Sequence, residues 1–401
     1  MRNTLRPQSN PSALLKAALR TTRYHALDWL GMLKPLKLRI GLTNRCNAKC
    51  MMCNIWKMVD NTAPFLPEEL SVEEIDTILT RNTRFLSNLN HISLTGGEPT
   101  LRRDFVNIWR VLHRHFPDTG MSFNSNGFST QKLMGFVDEI LRFHERLTVM
   151  ISLDGYGENH DRVRGMRNVF PHVLKSLESL VQLREGQPWM KVELNYVLTP
   201  LNVDDCLEVY RWCKASRVSF NPIYAIQGEL YDNEDDDNVS LTQDARRHYV
   251  EHFTRILADD DSLQTREILD QLVDRPRDFD CWAGRTMFLI EENGRVFPNG
   301  GCPSDFVLGN LRDFDYSFEA LLAGDQARKV LAGTNKCRLC RLSCETMTTL
   351  QHPEALAGYR KSREMPVEMP DEVEPITGPP RKVVAGVQLP AASCQEAGVG
   401  G

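Results

Sequence analysis

Residues 36–56 read LKLRIGLTNRCNAKCMMCNIW. The first eight form an apolar run of strand type. Three thiols follow at once, Cys46, Cys50 and Cys53, spaced C-x3-C-x2-C with no fourth Cys or His beside them. A structural zinc site asks for four protein ligands, and a catalytic one for three plus water. Cysteine thiolates also hold cubane iron–sulfur clusters. Three thiolates on four irons leave one iron open to a small chelating ligand.

Further along the chain, strand-like runs alternate with amphipathic stretches. HISLTGG (91–97), MSFNSNG (121–127), LTVMISLDG (147–155), VELNYVLT (192–199) and VSFNPI (218–223) are the strand candidates. SVEEIDTILTRNTRFL (71–86) opens on Ser71 and Glu74, a capping box. DFVNIWRVLHRHF (104–116), KLMGFVDEILRFH (132–144) and DDCLEVYRWCKAS (204–216) have the same helical spacing. Strand and helix alternating at this pitch predict βαβ units on a parallel sheet. The expected fold class is α/β, a partial (β/α)6 barrel over residues 37–260. In such folds functional groups sit on loops at the C-terminal strand ends. The cysteine loop and the glycine turns share that edge.

Four turns repeat the pattern in order behind the cysteines. LTGGEP (94–99), FNSNG (123–127) and ISLDG (151–155) each end a strand, and Arg164 follows in HDRVRG (160–165). Together with C-x3-C-x2-C after a first strand, they resemble the radical S-adenosylmethionine (radical SAM) superfamily over roughly residues 37–225. The resemblance implies a [4Fe–4S] cluster on Cys46, Cys50 and Cys53, with S-adenosylmethionine chelating the open iron. It implies cofactor contacts from Gly96, Gly97 and Glu98 at the amino group, Ser125 and Asn126 at ribose height, Ser152 and Asp154 beyond them, and Arg164 at the carboxylate. Met52 departs from the aromatic residue many members carry before the third cysteine, so the adenine contact has no candidate.

Eleven cysteines is a high count, and clustering at short spacings favours metal ligation in a reducing compartment over a disulfide framework. Cytoplasm is the expected location. Cys281, Cys302, Cys337, Cys340 and Cys344 crowd the C-terminal third, and RTMFLIEENGRVFP (285–298) predicts a β-hairpin around Asn293-Gly294. This region, 275–350, is similar to the SPASM/twitch extension of radical SAM enzymes, a small hairpin-and-helix unit with auxiliary clusters. The full SPASM pattern needs more cysteines than remain. The resemblance therefore implies one auxiliary [4Fe–4S] cluster on Cys281, Cys302, Cys337 and Cys340, with Cys344 as an alternative ligand or a hydrogen-atom donor. A zinc ribbon is the competing reading. Cys206 and Cys213, at i and i+7 of one helix, read as buried apolar residues, and Cys394 sits in the tail.

Residues 1–36 are a basic extension with a helix expected between Ser12 and Trp29. The run DNEDDDN (232–238) reads as a solvated loop, and residues 366–401 as a disordered, proline-rich tail. A net charge of −5 and a pI near 6.1 argue against nucleic-acid binding. No apolar run is long enough to span a bilayer.

The chemistry implied by the resemblance is reductive cleavage of S-adenosylmethionine, fed by a low-potential donor such as flavodoxin or ferredoxin. The 5'-deoxyadenosyl radical would take a hydrogen atom from a small polar metabolite, such as a sugar or aminocyclitol undergoing oxidation or epimerisation. A peptide maturase making a crosslink or an inverted centre is the alternative, and a non-catalytic metal-binding module is the reading from another class. A winged-helix leader-binding domain does not fit within the first 36 residues, which favours the small substrate. Candidate pocket residues on the last strands are Asn195, Tyr196, Asn221, Tyr224 and Glu229.

Overall fold

The computed structural model describes residues 34–63, 66–225, 239–275, 279–300 and 304–334, with the single positions 277, 302, 337, 346, 349 and 359. The helix expected before Trp29, Glu229, the acidic run at 232–238, Cys340, Cys344, Cys394 and the tail after residue 365 lie outside the described residues.

Six strands form where the apolar runs predict them: β1 (Lys37–Gly41), β2 (His91–Thr95), β3 (Gly120–Ser125), β4 (Leu147–Ser152), β5 (Lys191–Leu198) and β6 (Ser219–Tyr224). All pair in parallel with their sequence neighbours. The crossovers carry α1 (Val72–Arg81), α2 (Phe105–His115), α3 (Thr130–Leu141), α4 (Glu158–Val163), α5 (Phe170–Arg184) and α6 (Cys206–Ala215), and α7 (Gln243–Asp259) and α8 (Leu263–Leu272) follow β6. The result is the expected α/β fold, an open partial barrel.

Strands buried on both faces of a parallel sheet usually read as continuous apolar runs. These do not. On β1 and β2, Leu38, Ile40, Ile92 and Leu94 pack in the core beneath the helices, while Lys37, Arg39, His91, Ser93 and Thr95 line a cavity. The alternation marks a sheet whose inner face brings polar and charged side chains to the cavity wall. Outside it the core is aromatic: Phe105 meets Phe123 edge-on at 5.2 Å, and Trp109 meets Phe123 at 6.0 Å. Cys206 and Cys213 are buried in that core, as their helical spacing predicts.

The capping box at the start of α1 forms as expected. Ser71 N–H donates to Glu74 Oε2 at 2.9 Å, and Glu74 N–H to Ser71 Oγ at 3.2 Å. Glu74 also accepts from Arg312 Nε at 2.7 Å and Tyr316 Oη at 2.9 Å, so a helix cap becomes an anchor for the C-terminal third.

The predicted hairpin forms as β7 (Met287–Ile290) and β8 (Arg295–Phe297), turning at Asn293-Gly294. It does not stand apart from the barrel. β7 pairs in parallel with β1, Lys37 opposite Met287, and β9 (Gly309–Asn310) closes a nine-stranded sheet in the order β6-β5-β4-β3-β2-β1-β7-β8-β9. α9 (Phe318–Ala323) and α10 (Asp325–Thr334) follow β9.

Candidate active site

Beyond Gly41, the chain leaves β1 and closes a loop on itself. Arg45 Nη1 donates to Ala63 O at 2.9 Å. The Cys46 N–H donates to Asn61 Oδ1 at 2.7 Å, and Asn61 Nδ2 reaches back to the carbonyls of Trp56 and Val59. Cys53 N–H donates to Cys50 O at 3.2 Å. The three cysteines carry free thiols on one cavity of about 380 Å³, within the size range of small-molecule sites.

Burial pushes the thiol of Cys46 up to about 11 and that of Cys53 up to about 12, with Cys50 nearby adding to both. A metal centre must therefore displace protons to bind here. Two donors already point at the sulfurs: Asn126 Nδ2 lies 3.5 Å from Cys46 Sγ, and Arg164 Nη1 lies 3.4 Å from Cys50 Sγ. Among the described residues, no three His, Cys, Asp or Glu side chains converge on a position for a single ion. Three free thiols around one cavity, with hydrogen-bond donors aimed at them, match the donor set of a polynuclear iron–sulfur centre.

Two neighbouring turns clamp the loop. Gly97 N–H donates to Thr43 O at 2.7 Å and Glu98 N–H to Arg45 O at 2.8 Å. A Cβ on Gly97 would stand 2.2 Å from Arg45 O, so only glycine permits this approach. From the other side, Lys49 N–H donates to Arg164 O and Met51 N–H to Val163 O, both at 3.0 Å. Gly165, at φ +61°, has its Cβ direction only 1.9 Å from Lys49 O.

Gly96, Gly97 and Glu98 line the cavity, and their backbone contacts add a second role, while Asp154 departs from its expected place. Gly96 and Gly97 let the chain approach the cysteine loop's own carbonyls. Glu98 is almost fully buried; its carboxylate accepts from Asn126 N–H at 2.6 Å and Thr100 Oγ1 at 2.6 Å, and caps the turn Pro99–Leu101. Burial pushes the Glu98 carboxyl up, against those hydrogen bonds. Asp154 does not share the cavity with Ser152, because β4 ends at Ser152 and strand alternation ends with it. Asp154 instead accepts from Val197 N–H at 2.7 Å and pairs with Arg164 Nε at 2.7 Å. Burial alone would lower the Arg164 guanidinium, but Asp154 and Cys50 more than offset it, and it stays charged.

Gly96, Gly97, Glu98, Ser125 and Asn126 line the cavity as expected, and so do Ser152 and Arg164. Asn195 and Asn221 do as well, in a chain across three strands: Asn195 Nδ2 donates to Asn124 Oδ1 at 3.4 Å, and Asn221 Nδ2 to Asn195 Oδ1 at 2.5 Å. Tyr224 lines the cavity too. Tyr196 is not a pocket residue: it is fully buried behind β5, its hydroxyl on Asn202 O. Arg39, His91, Ser93, Ser122 and Met150 also line the lumen, and the alternation of β1 to β4 was the signal that could have found them.

In the second cysteine group, Cys281 precedes β7, Cys302 follows β8 and Cys337 follows α10.

Residues 40–213 match the family profile of the radical SAM superfamily. They form a radical SAM domain. Such a domain implies a [4Fe–4S] cluster and S-adenosylmethionine as its cofactors. The chain is 30% identical over 176 residues to a probable GTP 3',8-cyclase of Pyrococcus abyssi, covering 44% of this chain and 52% of the relative. It is 26% identical over 189 residues to the sporulation killing factor maturation protein SkfB of Bacillus subtilis, covering 47% and 42%. The chain thus spans about half the length of the curated relatives it matches. Two solved structures share the fold at 18% identity. One is SuiB of Streptococcus suis bound to S-adenosylmethionine, with a TM-score of 0.51 over 80% of this chain and 72% of that one. The other is anSMEcpe with bound AdoMet, with a TM-score of 0.56 over 82% and 96%. Among the described residues, no helix is long and apolar enough to cross a membrane.

Proposed function

We propose that this chain is a radical SAM enzyme acting on a small polar substrate held in the barrel lumen. One observation carries the reading: the cysteine loop and the asparagine-lined lumen open into a single cavity. Cys46, Cys50 and Cys53 are the residues to hold the [4Fe–4S] cluster. When bound, the cluster and S-adenosylmethionine supply reductive C–S cleavage and a 5'-deoxyadenosyl radical that takes a hydrogen atom from substrate.

The chain's own residues bind and orient. The glycine clamps fix the loop. Arg164, kept charged by Asp154, places a cation beside Cys50 and at the cavity wall, where it suits a cofactor carboxylate. Asn126 supports Cys46, and Ser125 and Ser152 offer hydroxyls to the cofactor. Glu98, turned into the body, acts through Asn126. Asn124, Asn195 and Asn221 present amides to substrate and exclude bulk water from the lumen.

Similarity to SkfB favours a second reading, a peptide side chain as the substrate. In the C-terminal third, the region 275–350 is proposed as the auxiliary unit, with Cys281, Cys302, Cys337 and Cys340 holding a second four-iron cluster and Cys344 donating a hydrogen atom.

Anaerobic reconstitution tests the core of this. The protein should bind iron and sulfide and release 5'-deoxyadenosine from S-adenosylmethionine under dithionite. Alanine at Cys46, Cys50 and Cys53 should abolish that release; persistence of the product rules the assignment out. Iron near two clusters per chain, falling to one when Cys281 and Cys337 are replaced, supports the auxiliary site, and zinc in its place rejects it.

A further inference from the structure

The lumen carries positive charge at two ends, and only one of them serves the cysteines. At the cysteine end, Arg164 is matched by Asp154. Toward the other end stand Lys37 and Arg39 of β1. A strand rises about 3.3 Å per residue, so Arg39 lies about 7 Å and Lys37 about 13 Å back along β1 from Gly41, where the chain turns into the cysteine loop. Both also make contacts within the protein. The five N–H donors of a guanidinium leave some over for a ligand. Among the described residues the one carboxylate lining the cavity is Glu98, which accepts from Asn126 N–H and Thr100 Oγ1. Glu193 of β5, whose carboxyl feels Lys191 and Lys37, does not line it. Burial, then the charges of Lys37, Arg39 and Lys191, push the His91 imidazole down to about 4, so it meets Ser122 Oγ at 2.9 Å as a neutral ring.

The amides of the lumen run in one direction. Gln264 Nε2 of α8 donates to Asn221 Oδ1, Asn221 Nδ2 to Asn195 Oδ1, and Asn195 Nδ2 to Asn124 Oδ1. Each of these carbonyls is taken by the amide behind it. The row ends on Asn124 Nδ2, which has no acceptor among the described residues. Two cations and an unmatched amide donor across β1 to β3 suit a ligand rich in acceptors. We propose that the substrate carries an anionic oxygen group, a carboxylate or a phosphate ester, which seats on Arg39 and Lys37 and accepts from Asn124. This deepens the lumen reading above and rests on it. Held by that group, the substrate presents a carbon further along its own skeleton to the cysteine end. Charge-assisted hydrogen bonds are roughly twice as strong as neutral ones, so the anion dominates the choice of substrate over its neutral polar groups.

The probes are labelled glycerol 3-phosphate, glycerate and glycerol, one skeleton with two anions and a neutral control. Each is measured by equilibrium dialysis against the anaerobically reconstituted protein, with saturating S-adenosylmethionine to fill the cofactor end. At least one anion should bind about tenfold or more tighter than glycerol, and which one does so tells a phosphate ester from a carboxylate. Arg39→Gln should weaken that anion about tenfold or more and leave glycerol unchanged. Anions that bind no tighter than glycerol overturn the proposal. So does an Arg39→Gln variant that keeps wild-type affinity for them, or one that weakens glycerol equally. If Arg39→Gln loses its iron or its melting transition, Asn124→Asp decides, an isosteric change that sets a carboxylate at the donor end. Anion binding weakened about tenfold then supports the seat, and unchanged binding overturns it. Failure of the radical SAM reading shows separately, as wild-type protein that releases no 5'-deoxyadenosine under dithionite.

Discussion

Alanine at Gly165 tests whether the cysteine loop is positioned by backbone clamps. The residue sits at φ +61°, in the left-handed region, where an L side chain costs about 1–2 kcal/mol. The added Cβ would stand 1.9 Å from Lys49 O, whereas real Cβ contacts stay beyond 3.0 Å. Lys49 O must therefore retreat by at least about 1.1 Å, lengthening or breaking the Lys49–Arg164 and Met51–Val163 hydrogen bonds that flank Cys50. Losing two such bonds adds about 1–3 kcal/mol. The combined cost is about 2–5 kcal/mol, or a fall in Tm of roughly 2–6 °C for a protein of 401 residues. The assay pairs thermal unfolding of the unreconstituted protein with iron content after reconstitution. Both should fall, because the displaced carbonyl belongs to the residue before a cysteine. A variant that keeps the wild-type Tm and iron content refutes the clamp.

Other expectations follow from the same contacts. Gly135, inside α3 with nothing within 4 Å of its Cβ direction, should accept alanine with a gain of about 0.5–1 kcal/mol in unfolding free energy; a loss in denaturant titration contradicts it. Burial, then Glu291 and Glu69, push the Glu292 carboxyl up to about 7. A carboxyl raised in the folded state loses stability as pH climbs from its unfolded value through 7. Glu292→Gln should thus match the wild type near pH 5 and melt higher at pH 8; identical melting curves at pH 8 remove the basis for this. Removing the N–H···S contact by Asn126→Ala should lower the cluster's midpoint potential by a few tens of millivolts, since one such bond is worth about 1 kcal/mol and 59 mV is tenfold for one electron. An EPR-monitored redox titration reads it, and an unshifted midpoint rejects a tuning role.

Much of the site was legible because its signals are local. Three cysteines in eight residues, turns at strand ends and a capping box at Ser71 each declare themselves within a few positions. What escaped involves partners distant in sequence. Gly96 and Gly97 read as an approach for a cofactor, and nothing near them shows that the carbonyls they approach belong to Thr43 and Arg45. Asp154 seemed to follow Ser152 into the pocket, but alternation holds only while the strand continues, and pairing stops at Ser152 with Asn195. The hairpin's turn was evident in Asn293-Gly294; its parallel partner was not, since no turn links β7 to β1. The lumen-facing residues of β1 to β4 were visible as period-two alternation, a departure from the continuous apolar runs of parallel strands buried on both faces.

The pairing of β1 with β7 also sets a timetable. Lys37 lies opposite Met287, 250 residues later in the chain. At about 5–20 residues per second on the ribosome, the strand that leads into the cysteines waits roughly 12–50 s with one edge bare. Over that interval the nascent chain exposes unpaired amides and carbonyls next to three reactive thiols. Expression yield should therefore depend on how well the cell shields that edge, whether by chaperones, slow synthesis or low temperature.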